Sequence, residues 1–255
     1  MALTIDPAGV ATLVLSAPER GNSLDRPMLQ RVETLCRALP AEARVLLVRG
    51  AGERAFSTGY HLPTLLAELA EGESVVDFEG HPLERALRAL DQVAVPTIAV
   101  VQGSAIGAGC ELALTCDIRL AADGATFAMP PARLGILYSL TGLARLQALV
   151  GPAVAQELIY AAETVDAARA LALGLVNRVV PRAALEAEAA GLAGRIAGNA
   201  PLSVRHHKAL FRRLRPPDPD PAVLRQVAAL RLECFRSEEF RERLRNPPGS
   251  RAHDR

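Results

Sequence analysis

The sequence predicts a layered α/β fold. Short apolar runs bounded by proline, glycine or charge alternate with helical patterns through the first half of the chain. Beyond about residue 143 the strand signal fades and helices take over. With 255 residues and 50% apolar composition, the chain is long enough to bury a sizeable core.

The expected strands are "VATLVL" (10–15), "RVLLVR" (44–49), "PTIAVV" (96–101) and "DIRLAA" (117–122). Between them, "PMLQRVETLCRAL" (27–39) and "PLERALRALDQV" (82–93) carry apolar residues at helical spacing, with Pro27 suited to a first turn. In the second half, "LARLQALVGPAVAQELIYAAE", "VDAARALALG" and "ALEAEAAGLAGRIAGNA" read as helices ending near Gly151, Gly174 and Gly198. "LVNRVVP" (175–181) is a candidate last strand. "RPPDPDP" (215–221) breaks the helical region, a final helix is expected at about 222–245, and a polar tail follows.

Charge and cysteine usage narrow the function. Basic and acidic side chains number 29 and 28, a net charge of +1, which argues against nucleic acid as a main partner. The exception is "RHHKALFRRLR" (205–215), read first as the solvated face of a helix and second as a grip on a phosphorylated ligand. Cys36, Cys110, Cys116 and Cys234 form no Cys-x-x-Cys pair and sit in apolar contexts, as reduced cytoplasmic thiols do. No apolar run reaches the roughly 18 residues of a membrane helix, and the N-terminus lacks the pattern of a signal peptide. A cytoplasmic protein is expected.

Two glycine-containing stretches follow predicted strands: "AFSTGYHL" (55–62) and "GSAIGAGCELAL" (103–114). A helix beginning among Gly107, Ala108 and Gly109 would leave N–H groups free for a developing oxyanion. Read locally, the same glycines would equally serve tight strand–helix packing. Neither the dinucleotide fingerprint nor the P-loop fits, because Leu112 stands where the third glycine belongs and no Lys-Ser/Thr ending follows. Ser104 lacks the preceding glycine of a nucleophile elbow. Glu111, a lone acid in an apolar run, is costly to bury unless it has a task.

"AFSTGYHL" followed by "PTIAVVQGSAIGAGCELALTCDIRLAADGATFAMPPARLGI" resembles the two oxyanion-hole segments of the crotonase (enoyl-CoA hydratase/isomerase) superfamily. "ERGNSL" (19–24) resembles its early Asn-x-Leu turn and "DAARALALGLVNRVVP" (166–181) its late segment, so that the match runs from about residue 10 to 210. The resemblance implies a crotonase-like ββα spiral core over residues 1–195 and a C-terminal helical trimerisation region over 196–255. It further implies an acyl-CoA substrate, a homotrimer or dimer of trimers, and no metal or redox cofactor, coenzyme A being part of the substrate.

By position, the resemblance makes Tyr60 and Ala108 the oxyanion donors through their backbone N–H groups, and Glu111 the acid/base. Ser57, Thr58, Gly59, His61, Leu62 and Gly107 become substrate-binding. Pro131 stands where a two-glutamate hydratase has its second acid, which leaves hydration, isomerisation and decarboxylation open. "FAMPPARLGILYSLTGL" (127–143) resembles the methylmalonyl-CoA decarboxylase branch, including Tyr138, which reads either as a core aromatic or as a pocket residue. A catalytically idle binding member of the superfamily is the remaining alternative. The loop at 62–84 should line the acyl pocket but carries no readable code, and "SEEFRERLRNPPGSR" (237–251) lacks the terminal Phe and Lys that reach a neighbour's CoA in many relatives.

Overall fold

The computed structural model describes residues 2–70, 80–215 and 220–245. The central part of the chain repeats one unit three times: a long strand, a short strand, then a helix. The N-terminal strands β1 (Ala2–Ile5) and β2 (Val10–Leu15) form an antiparallel hairpin, and α1 (Arg26–Arg37) follows, its first turn capped by Asp25, which accepts from the Met28 N–H at 2.9 Å. The first unit is β3 (Val45–Gly50), β4 (Ala55–Ser57) and α2 (Leu62–Ala70), with α3 (Pro82–Asp91) beyond it. The second is β5 (Thr97–Val101), β6 (Ser104–Ile106) and α4 (Ala108–Thr115). The third is β7 (Ile118–Ala122), β8 (Thr126–Ala128) and α5 (Pro131–Leu134). The remainder is mostly helical: α6 (Leu140–Val150), α7 (Pro152–Ala161), β9 (Thr164–Asp166), α8 (Ala167–Ala172), β10 (Arg178–Val180), α9 (Leu185–Ala197), α10 (Pro201–Arg213), α11 (Pro221–Arg236) and α12 (Glu238–Arg245).

The long strands, with β1 and β10 at the edges, build a six-stranded sheet in the order β1-β2-β3-β5-β7-β10, parallel except for the β1–β2 hairpin. The short ones build a second sheet, β4-β6-β8-β9, antiparallel only at β8–β9. Side-chain alternation explains why β5 is buried throughout, with Ile98–Val101 apolar. Ala99 and Val101 face the core shared with α1, α3 and α4. Ile98 and Val100 face a second core, closed by Leu185, Ala189, Ala193 and Ala197 of α9.

The four long strands and the last short one lie where the sequence places them. β1 and the second sheet do not register in the sequence, because three- and four-residue strands are too short to show a period. The final helix is two helices divided at Ser237, whose hydroxyl accepts from the Phe240 N–H at 3.1 Å. Most of the Pro-rich break (216–219), the centre of the 62–84 loop (71–79) and the polar tail from residue 246 lie outside the described residues. No helix among the described residues is long and apolar enough to cross a membrane.

The basic stretch at 205–215 presents a largely solvated face, as expected, but part of its charge is turned onto the core. Lys208 is buried and its Nζ donates to Asp117 Oδ2 at 2.7 Å and to the Val95 carbonyl at 2.8 Å. Arg205 donates to the carbonyls of Ala41 and Ala43, and Arg215 pairs with Asp91. These cations dock α10 onto the core.

The early Asn-x-Leu turn has a structural task. Asn22 is fully buried with φ +54°, a left-handed conformation that asparagine tolerates better than most residues. Its Nδ2 donates to the carbonyls of Ala51 (2.9 Å) and Ala55 (2.8 Å), and its Oδ1 accepts from the Ala17 N–H at 3.0 Å. It thereby ties the loop before α1 to both ends of the turn into β4. Asn22→Ala strands buried backbone groups and strains the turn, so a loss of about 3 kcal/mol is expected. Chemical denaturation checks this, and an unchanged midpoint would contradict it.

Candidate active site

The site forms where the ends of β4 and β6 come side by side. The two strands pair in parallel, and the backbone after each turns inward at a glycine. Gly59 has φ +92°, and a Cβ there would lie 2.5 Å from the Ile106 carbonyl oxygen and 3.2 Å from the Ala108 nitrogen. A Cβ on Gly109 would lie 2.3 Å from the Ser57 carbonyl oxygen. Only glycine allows either approach.

Gly107, with φ +57°, opens α4, so Ala108 is the first helical residue and its N–H has no intrahelical acceptor. On the other side, Leu24 donates to the Gly59 carbonyl (2.7 Å) and accepts from the His61 N–H (2.9 Å), bracketing Tyr60. Among the described residues, neither the Tyr60 nor the Ala108 N–H is taken up by an acceptor. Both residues line a cavity of about 130 Å³ whose walls are largely apolar, with Leu62, Leu65, Leu83, Ile136 and Phe235 among them.

Glu111 enters the cavity one turn into α4 and is almost fully buried. Its Oε1 accepts from the Ser139 hydroxyl at 2.8 Å, and that hydroxyl, the N-cap of α6, in turn accepts from the Gly142 N–H at 3.0 Å. A Cβ on Gly142 would lie 2.2 Å from Glu111 Oε1. The carboxylate therefore occupies the volume a side chain on α6 would need.

A second carboxylate, Glu84 of α3, lines the same cavity. The Thr141 hydroxyl donates to Glu84 Oε2 at 3.3 Å and lies 3.2 Å from the Ser139 hydroxyl. Two hydroxyls at the start of α6 thus bridge the two acids. Burial raises the Glu111 pKa against the opposing hydrogen bond from Ser139 and the charges of Arg145 and Arg231. Glu84 is pushed up to about 7, by burial first and then by the charge of Glu111. Arg231 of α11, itself buried, brings a guanidinium to the cavity: it faces Glu84, Glu111 and Tyr60 and lies 5.7 Å from the Phe235 ring centroid.

Most of the residues singled out in the sequence meet here. Thr58, Gly59, Tyr60, Leu62, Gly107, Ala108, Glu111 and Tyr138 all line the cavity. The Tyr138 hydroxyl lies 3.4 Å from where a Cβ on Gly107 would stand, so this tyrosine belongs to the pocket wall. The Tyr60 hydroxyl donates to Glu68 at 2.9 Å, where Arg26 also donates at 3.0 Å. Two expectations are corrected. Ser57 is fully buried beneath the site, donating to the Asn22 carbonyl and accepting from the Gly59 N–H, because its side chain points into the turn it stabilises. His61 lies outside the lining, its ring bonded to Thr64 at 2.9 Å within the first turn of α2.

Glu84, Ser139, Arg231 and Phe235 escape sequence reading. Glu84 sits in an amphipathic helix pattern where an acid reads as solvent-facing, and only the burial of most of α3 places it inside. Arg231 and Phe235, four apart on α11, come from a segment distant in sequence.

A family model described as enoyl-CoA hydratase/isomerase matches residues 6–246. The chain belongs to the enoyl-CoA hydratase/isomerase family. It is 34% identical over 239 residues to a short-chain-enoyl-CoA hydratase of Clostridium acetobutylicum, covering 91% of this chain and 88% of the other. It is 33% identical over 239 residues to a crotonyl-CoA hydratase of Syntrophomonas wolfei, covering 91% and 89%. The crystal structure of an enoyl-CoA hydratase/isomerase from Pseudoalteromonas atlantica superposes with a TM-score of 0.80 at 26% identity, covering 96% of this chain and 94% of that one. The three strand–strand–helix units are thus the crotonase spiral, and this family member is an acyl-CoA enzyme.

The raised Glu84 carboxyl has a consequence for stability. Folded, it keeps its proton up to about pH 7; unfolded, it releases it near its ordinary value of 4.5. The folded state therefore binds more protons across that window, and this group's contribution to stability falls as pH rises through it. The full span corresponds to on the order of 3 kcal/mol. Glu84→Gln removes the effect, so the variant should gain about 2–3 kcal/mol relative to the parent between pH 5 and pH 8. Thermal unfolding of both proteins at the two pH values checks this. A pH-independent difference would contradict it.

Proposed function

We propose that the protein hydrates a short-chain 2-enoyl-CoA through a thioester enolate, with Glu111 exchanging a proton with the substrate. The observation that carries this reading is the convergence of two unengaged backbone N–H groups, Tyr60 and Ala108, with a buried carboxylate on one apolar cavity. The N–H pair would receive the thioester oxygen, each donor worth about 3 kcal/mol toward the enolate in so dry a place. A carboxyl kept basic by burial is suited to moving a proton near neutral pH. The Tyr138 hydroxyl, beside Gly107, is placed to contact the same substrate atoms.

The cavity of about 130 Å³ supports a small acyl group, since a cavity of roughly 150 Å³ accommodates a benzene. The relatives named for short-chain and crotonyl substrates point the same way. Decarboxylation of a malonyl-type substrate is less well supported, because a third carboxylate would enter a cavity that already holds two against one guanidinium. A catalytically idle member would leave the burial of Glu111 without a purpose.

We also propose that the protein works as a homotrimer or dimer of trimers. Leu210, Phe211 and Leu214 near the end of α10 are 55, 65 and 80% exposed, an apolar patch suited to covering by another copy.

Glu111→Gln preserves size and hydrogen bonding but cannot exchange a proton. On crotonyl-CoA it should lower kcat by roughly 10²–10⁴-fold and leave KM almost unchanged. Full activity in this variant would overturn the assignment. A parent protein that binds CoA esters yet turns over neither crotonyl-CoA, a 3-enoyl-CoA nor methylmalonyl-CoA would support the idle reading. Sedimentation at micromolar concentration should give a multiple of three subunits, and a monomer would refute the assembly.

A further inference from the structure

We propose that Glu84 is the second proton-transfer group of this site, supplied from α3 in place of the acid that Pro131 excludes from α5. The inference rests on the hydration reading above. Pro131 lines the cavity and offers no titratable group. Adding water across a double bond nevertheless needs two proton transfers, one from the attacking water and one to Cα. Glu84 is the only other carboxylate among the described residues that lines the cavity, and it reaches it from the helix packed against α4.

The hydroxyl bridge makes the two acids one unit. From Glu111 Oε1 the path runs 2.8 Å to Ser139, 3.2 Å to Thr141 and 3.3 Å to Glu84 Oε2. With Glu84 protonated, its carboxyl donates to Thr141, Thr141 to Ser139 and Ser139 to Glu111, a continuous relay. The surrounding charges favour a shared proton. Facing the pair are Arg231 from α11 and Arg145 from α6, with His81 at the α3 cap and the phenols of Tyr60 and Tyr138 also at the cavity wall. Glu68 of α2 is held by Arg26 and Tyr60. With one guanidinium among the described residues lining the cavity, the state of least cost has one carboxylate ionised and the other protonated.

That state is what hydration requires. The ionised carboxylate takes a proton as an O–H bond of water breaks and the oxygen bonds Cβ; the π electrons shift into the enolate held by the two N–H groups. The protonated carboxyl then gives its proton to Cα, the enolate collapses to the thioester, and one water has been added. The two acids end with their protons exchanged, and transfer through Ser139 and Thr141 restores the starting state. Nothing else is consumed.

The test is the kcat–pH profile of crotonyl-CoA hydration for the parent, Glu84→Gln, Glu111→Gln, the double variant and Thr141→Val. Glu84→Gln should lower kcat by about 10²-fold or more with KM within a few-fold, and should abolish the limb of the profile near neutrality. The double variant should be little slower than the worse single variant, because the two groups act as a unit. Thr141→Val should slow turnover by about tenfold with both carboxylates in place. Glu84→Asp, which keeps the carboxyl, should recover part of the rate and the neutral limb, a result that loss of folding in Glu84→Gln would not prevent. Glu84→Gln within about threefold of the parent, with an unaltered profile, overturns the proposal and leaves the role of Glu111 standing if Glu111→Gln is slow. A parent with no hydratase activity overturns both.

Discussion

The site depends on a carboxylate being held almost wholly out of bulk solvent, at the wall of an apolar cavity. Glu111 sits within the first turn of α4, and its oxygen lies against the first turn of α6 in space that any residue but glycine at 142 would fill. The hydrogen bond from Ser139 is what makes this tolerable, since a buried charge without a partner would cost several kcal/mol. The same hydroxyl caps α6, so one side chain both starts a helix and positions the acid. Around this contact, Gly59 and Gly109 let β4 press against the β6–α4 junction, which brings two backbone N–H groups to the cavity that Glu111 faces. Packing, capping and chemistry here are consequences of the same few close approaches.

The rest of the fold serves to hold those approaches fixed. Asn22 ties the turn before β4 from beneath, and Ser57 braces the Gly59 N–H from the other side of that turn. The parallel sheet, covered on one face by α9 and on the other by α1, α3 and α4, fixes the height at which β6 delivers its glycines. The C-terminal helices close the cavity, with Arg231 and Phe235 contributed by α11 and Phe240 of α12 packing beside Leu65. The last helices of the chain are therefore part of the pocket wall as well as a candidate surface for assembly.

The sequence makes the central part of this legible and leaves its periphery obscure, for identifiable reasons. Long strands such as Val10–Leu15 and Thr97–Val101 announce themselves as largely apolar runs between turn residues. The two glycine-rich segments and Glu111 are readable because glycines crowd at strand ends and an acid follows in an apolar run. Tyr60 and Ala108, whose backbone N–H groups have no acceptor among the described residues, are singled out in the sequence only through resemblance, since a backbone N–H leaves no side-chain signature. Ser57 and His61 share the segment but point elsewhere, a difference of orientation that a linear pattern does not carry. Glu84 and Arg231 reach the cavity from helices that look solvated in sequence, and only their packing against α4 reveals them. The solvated face read at 205–215 holds for most of the stretch, but Lys208 and Arg205 escape it, because backbone carbonyls and Asp117 on the core receive their charges.

The central claim is that this cavity polarises a thioester and moves the proton on its α-carbon. It is tested most directly by incubating the protein with butyryl-CoA in deuterium oxide and following the Cα hydrogens by NMR. Butyryl-CoA has no double bond to hydrate, so any exchange reports the enolate step alone. The account predicts that deuterium enters at Cα far faster than without the protein. An exchange rate no greater than that of butyryl-CoA alone would contradict it.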